Sequence, residues 1–202
     1  MKRVQLLLIL LAFAVPFAAA DTIQLTQNNL GITGSIGTVT LTQQAGGVEV
    51  TLQANSGFSF KLQGGDILFN SSASLSASSI SGLTISSCPQ NCTPYTANFS
   101  FGGPATRAGR TFTYDLSNMH KGTLPNGYVS ANTISFLISN VTLSQLKPYA
   151  FGVHFCTASG TNCGPSTGFG FTGSTVPEPG TLSLLGTGLA GLAGVFRRRF
   201  RS

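Results

Sequence analysis

The side chains able to do chemistry in this 202-residue chain are few: four cysteines, two histidines and five acids. The cysteines stand as Cys88-Pro-Gln-Asn-Cys92 and as Cys156 with Cys163, flanking Thr-Ala-Ser-Gly-Thr-Asn. In an oxidising compartment four cysteines read as disulfides, with three pairings open. The two local bridges are favoured. Cys88–Cys92 needs a turn, because four extended steps span ~13 Å against a limit of ~7 Å for a bridge. Pro89 and Pro94 suit a turn, and Cys156 and Cys163 could face each other across the base of a hairpin. Each small loop would contribute roughly 2–3 kcal/mol. Zinc held by the four thiolates, with His154 as a substitute ligand, is the sharper alternative, but the spacing is loose for it.

Motifs for catalysis appear and fail. Gly164-Pro165-Ser166-Thr167-Gly168 matches a nucleophile elbow, yet no helix follows and no histidine lies beyond His154. Gly168-x-Gly170-x-x-Gly173 and Gly186-x-Gly188-x-x-Gly191 match the dinucleotide fingerprint, but neither opens a βαβ unit. A glycosidase needs two carboxylates in one cleft. Asp66 with Asp115 is the obvious pair, and nothing in the sequence joins them. Arg107 and Arg110 could grip an anionic sugar but read first as exposed loop charges, and His120 falls in a loop. The chain has no Trp to stack a sugar, though four tyrosines remain. No catalytic residue, cofactor or metal is expected.

The elements that would carry these residues are strands. Val48, Val50 and Leu52 alternate with Glu49, Thr51 and Gln53; Phe58, Phe60 and Leu62 with Ser59, Lys61 and Gln63. Phe112, Tyr114 and Leu116 do the same, as do Ile134, Phe136 and Ile138. Tyr149, Phe151, Val153 and Phe155 line a face opposite Ala150, Gly152 and His154. A period of two puts one face on a core and the other in water. Gly46-Gly47, Gly64-Gly65, Gly102-Gly103-Pro104 and Pro125-Asn126-Gly127 punctuate the runs. Eight to ten such strands predict an all-β, antiparallel β-sandwich, jelly-roll or immunoglobulin-like. Ser71–Ser81 reads as a long loop or edge strand, and Thr142–Lys147 as a helical turn stopped by Pro148.

The two ends are of another kind. Met1-Lys2-Arg3, an apolar run from Val4 to Val15 and the site Ala18-Ala19-Ala20 make a signal helix, residues 1–20, cleaved before Asp21. From Val176 the chain reads Val-Pro177-Glu178-Pro179-Gly, then an apolar helix over 181–196, then Arg197, Arg198, Arg199 and Arg201 within the basic end 197–202. That helix would span ~24 Å, short of a ~30 Å hydrocarbon core, with its arginines held in the cytoplasm. Six of the eleven cations lie in these ends, whereas residues 21–175 carry five cations against four acids. Nucleic acid is therefore not an expected partner, since the charge is not on a folded face.

The tail closely resembles the PEP-CTERM sorting signal of Gram-negative, matrix-forming bacteria. Pro177-Glu178-Pro179, a short apolar helix and a basic cluster occur in that order. The resemblance implies recognition by an exosortase-type membrane protease, transient residence in the inner membrane and delivery to the cell surface or extracellular matrix. The expected organisation is a signal peptide (1–20), a β-sandwich (21–175) and a sorting tail (176–202) with a C-terminal transmembrane helix. The expected function is non-enzymatic, structural or adhesive, with exopolysaccharide as a partner. A secreted glycan-acting hydrolase and a permanently anchored periplasmic domain are the alternatives.

Overall fold

A computed structural model describes residues 20–62, 64, 66–86, 99–119, 128–148, 150–157, 162–163 and 167–173. Residues 1–19 of the signal segment, Cys88, Cys92, His120 and the whole tail with Pro177–Pro179 and the 181–196 helix lie outside the described residues.

Strands form where apolar and polar residues alternate. They are β1 (Ala20–Asn28), β2 (Gly37–Gln44), β3 (Gly47–Ala54), β4 (Ser59–Lys61), β5 (Asp66–Phe69), β6 (Ile80–Ser86) and β7 (Ser100–Gly102). There follow β8 (Ala105–Arg107), β9 (Arg110–Phe112), β10 (Tyr114–Ser117), β11 (Tyr128–Ala131) and β12 (Thr133–Ser139). The last three are β13 (Phe151–Cys156), β14 (Asn162–Cys163) and β15 (Thr167–Thr172). All pairings are antiparallel among the described residues, as expected. There are more strands than the spacing predicts, because several runs are cut into pieces of two to four residues.

One half of the sheet runs β1-β2-β3-β12-β6, with Val39 opposite Leu52, Val50 opposite Phe136 and Ile134 opposite Ile85. The other runs from β1 through β15 to β13, which pairs with both β4 and β5. Strand β1 belongs to both halves. Ala20–Gln24 pair with β2, Leu25–Asn28 pair with β15, and a bulge sits between Leu25 and Gln27. A bulge bends its strand and sharpens its twist, so the sheet curls over on itself. The result is one curled antiparallel sheet. The two halves face each other: the rings of Phe69 on β5 and Phe136 on β12 are 6.4 Å apart across the core. Phe60, Phe151 and Phe155 complete the fully buried centre. Deleting one such ring costs about 3–5 kcal/mol.

Several expectations need correction. Phe112 does not share a face with Tyr114 and Leu116, because the chain bends at Thr113 between β9 and β10. Tyr114 and Leu116 join the main core, whereas Phe112 joins Leu68 and Phe171 in a second cluster on the outside of the sheet. Ser59 and Lys61, expected in water, are buried at 2% and 8% exposure. Ser71–Ser81 is neither all loop nor all strand: a 3-10 turn, Ala77–Ser79, leads into β6. Thr142–Lys147 does hold a 3-10 turn, Leu143–Leu146, with a capping box between Thr142 and Gln145. The glycines of Gly168-x-Gly170 serve packing. A Cβ at Gly168 would lie 2.6 Å from Leu30 Cγ, and one at Gly170 would collide with Ile36.

Among the described residues, β13 and β14 do not pair with each other as the expected Cys156–Cys163 hairpin would require. β14 pairs with β11, with Cys163 opposite Tyr128, while Cys156 sits opposite Ser59 of β4 and Thr167 of β15. Cys156 is buried and disulfide-bonded. The bridge itself lies outside the described side chains.

Candidate functional site

Strand alternation sends Ile67 and Phe69 of β5, and Tyr114 and Leu116 of β10, into the core. Asp66 and Asp115 are thereby left on the outer face. In the β5–β10 ladder Asp66 stands opposite Ser117 and Asp115 opposite Leu68, so the two carboxylates are two rungs apart on one face. Diagonal neighbours in a sheet lie ~7–8 Å apart, within reach of a single long side chain.

That side chain is Arg107, which comes from the β8–β9 hairpin. Its two tip residues, Ala108 and Gly109, both have positive φ, 47° and 77°, the combination that matches the twist of a two-residue hairpin. The hairpin lies over the outer face of the curled sheet. Phe112 stacks on Phe171 at 5.9 Å, and the guanidinium of Arg110 sits 4.7 Å from the Phe171 ring centroid and donates to Gln27. A Cβ at Gly152 would come within 3.1 Å of Phe112 Cζ, so a glycine there admits the hairpin. Arg107 Nε then donates to Asp66 Oδ2 at 2.6 Å, and its NH2 donates to Asp115 Oδ2 at 3.3 Å. One planar fork spans both carboxylates, a geometry available to arginine and not to lysine.

Two further ionisable groups border this pair. Lys61 on β4 is buried, and burial lowers its pKa against the opposing pull of Asp66. His154 on β13 stacks on Phe169 at 4.5 Å. Burial and the charge of Lys61 lower its pKa, while Asp66 and a hydrogen bond to the Gly64 backbone oppose them. The Asp115 carboxyl is pushed up to about 6, first by burial and then by the negative charge of Asp66, with Arg107 pulling the other way. Asp115 Oδ1 and His154 Nδ1 are buried without a hydrogen-bond partner. Of the nine charged residues in 21–175, four meet here: Lys61, Asp66, Arg107 and Asp115. In a domain this poor in charge the convergence is the outstanding chemical feature.

Its chemistry is that of two cations, Lys61 and Arg107, set against two carboxylates, with the Asp115 carboxyl pushed up to about 6. Asp66 and Asp115, which sequence alone left apart, are brought together. Arg107 and Arg110, read as loop charges, lie in paired strands and are engaged. Lys61 and His154 were not associated with the aspartates in sequence. The available signal was the placing of Lys61, Asp66 and Asp115 at strand positions in nearly uncharged surroundings. Among the described residues no group of three His, Cys, Asp or Glu could hold a metal ion, and no helix is long and apolar enough to cross a membrane.

Beyond the described fold, residues 175–199 match the model of the PEP-CTERM protein-sorting motif. The chain carries a PEP-CTERM sorting signal. The match contains Pro177-Glu178-Pro179, the apolar stretch 181–196 and Arg197–Arg199. A PEP-CTERM signal marks an exported protein that is processed at the membrane by an exosortase, itself a membrane protein, on the way to the cell surface. No curated protein and no solved structure matches the chain.

Proposed function

We propose that this PEP-CTERM protein is a non-enzymatic component of the cell surface or extracellular matrix. Its N-terminal signal, cleaved before Asp21, sends the chain across the inner membrane. The 181–196 segment holds it there transiently, Arg197–Arg201 stay on the cytoplasmic side, and the exosortase acts near Pro177–Pro179. The curled β domain is then released to a structural or adhesive role beside exopolysaccharide. The observation that carries this reading is the sorting signal following an all-β domain. Its support on the non-enzymatic side is that Arg107 occupies both aspartates, the one candidate carboxylate pair. Cell fractionation of the wild type and of a variant lacking Pro177–Pro179 tests it. The wild type is expected at the surface in a shortened form, and the variant retained at full length in the inner membrane. Identical size and location for both would overturn the reading.

A second reading, a secreted glycan-acting hydrolase, is favoured by one observation. Asp115, with its pKa near 6, has the character of a general acid, and Asp66 stands beside it as a second carboxylate. Release of reducing ends from polysaccharide, lost in Asp115→Asn, would establish this reading. A permanently anchored periplasmic domain would instead keep Arg197–Ser202 on the mature protein, as intact mass would reveal.

A further inference from the structure

The outer face of the β1-β2-β3-β12-β6 half is built differently from the face that carries the charged cluster, and its outward residues Thr40, Thr51, Ser135 and Thr84 are partly or fully exposed among the described residues. Ladder register puts Thr22 opposite Thr40, Thr40 opposite Thr51, Thr51 opposite Ser135 and Ser135 opposite Thr84. Five hydroxyls therefore form one row across five strands. Neighbouring rungs of such a row are ~4.8 Å apart, and the next row along the strands follows at ~6.7 Å. That next row contains Thr38, Gln53 and Thr133, again in direct register. The groups are tied side to side: Thr22 and Thr40 hydroxyls lie 3.2 Å apart, Thr51 and Ser135 3.0 Å, and Thr133 donates to Gln53 at 2.6 Å. These lateral bonds fix the hydroxyls in place, and those of Thr40, Thr51 and Ser135 keep donor and acceptor capacity toward the outer side.

A solvated strand face also favours threonine, but soluble surfaces usually mix in lysine and glutamate at about a quarter of positions or more. Here Glu49 is the one charge among the outward residues of β2, β3 and β12, and Gln44 donates to it. The face holds no aromatic residue in those strands either. It therefore has no means of steering an ion, or of clasping one free sugar ring. What it offers, apart from Leu137 and Glu49 opposite each other at one end, is a repeating comb of hydroxyls and amides. Each exchange of water for a partner hydroxyl is worth little by itself, so the face suits a partner that repeats as it does and engages many rungs at once.

We infer that this hydroxyl face docks an extended, uncharged polysaccharide. The inference rests on the matrix reading above and adds the surface and the class of glycan. The test is co-sedimentation of the exported protein, recovered from cells, with an insoluble neutral β-glucan, and in parallel with alginate beads as a polyuronate. Retention on the glucan is expected, unchanged by added salt because no ion pair is involved. The double variant Thr40→Val/Thr51→Val keeps shape and strand preference while removing two central hydroxyls. It should lose about tenfold in apparent affinity, the effect of a few cooperating hydrogen bonds. Thr51→Lys, which sets an ammonium in the middle of the row, should abolish retention with far-UV circular dichroism unchanged. Failure to sediment, salt-sensitive preference for alginate, or equal retention of the variants would overturn the inference. So would self-association of the free protein abolished by Thr51→Lys, since a second copy would then be the occupant. None of these results bears on sorting, which the fractionation reads separately.

Discussion

The Nε of Arg107 meets Oδ2 of Asp66 at 2.6 Å although the two lie 41 positions apart in the chain. This contact clips the β8–β9 hairpin to the first residue of β5, and the same guanidinium holds Asp115. Truncating one partner of a largely buried pair costs more than the pair's net worth, because the charge left behind has lost its counter-ion. Arg107→Ala should therefore destabilise the fold by about 1–3 kcal/mol, less than the ~3–5 kcal/mol of a fully buried pair because the guanidinium is partly exposed. Thermal unfolding would register this as a clear fall in midpoint. Arg107→Lys should recover only part of the loss, since a point charge cannot serve both carboxylates at once.

Stability should carry a pH signature from Asp115. Its folded pKa of about 6 lies above the ~3.9 of an unfolded aspartate. The folded state thus holds a proton that the unfolded state has released, and stability from this group falls as pH rises from about 4 through about 6. His154 works in the opposite sense. Its depressed pKa favours the neutral ring in the fold, so its contribution is present above ~6.5 and is lost as pH falls. Comparing unfolding midpoints of wild type and Asp115→Asn across this range isolates the aspartate. The difference should grow in favour of the variant towards neutral pH. A carboxyl titration near pH 4 for Asp115 by NMR would contradict the expectation.

The turn between β2 and β3 gives a paired test. A Cβ on Gly47, which has φ of 151°, would collide with the backbone carbonyl of Ile138 on β12, and backbone cannot step aside. Gly46, one residue earlier, has nothing within 4 Å of such an atom. Gly47→Ala should destabilise by about 1–3 kcal/mol or more, as overpacking does. Gly46→Ala should fall within ~0.5 kcal/mol of wild type, as surface changes do. Denaturant midpoints for the two variants check both.

The bridge of Cys156 can be predicted from the ladders. Cys156 is level with Ser59, and β4 meets β11 with Phe60 opposite Ala131 and Lys61 opposite Ser130. Cys163, opposite Tyr128, is then displaced by about four residues, or ~13 Å along the strands, beyond the ~7 Å limit for a disulfide. Non-reducing peptide mapping should find Cys156 joined to Cys88 or Cys92. A peptide linking Cys156 to Cys163 would contradict this.

How legible the protein was depends on how far apart along the chain each feature's parts lie. The core faces of β3, β12 and β13 followed from alternation, because each face is set by neighbours two residues apart. The assignment failed at Phe112, where a bend at Thr113 turned one apparent strand into two and moved its first aromatic ring to the opposite side. It failed at Lys61 as well, because alternation assigns a face without saying what will cover it.

Sequence by itself determined the strand character of the middle region and the sorting signal, since periodicity and a contiguous motif are local properties. Tertiary structure alone decided that Asp66, Asp115, Arg107, Lys61 and His154 converge, and that five hydroxyls line up across five strands. Both depend on pairing register. Register is settled by the joint burial of the whole core and by the bend in β1, and neither is written in any one segment of the chain.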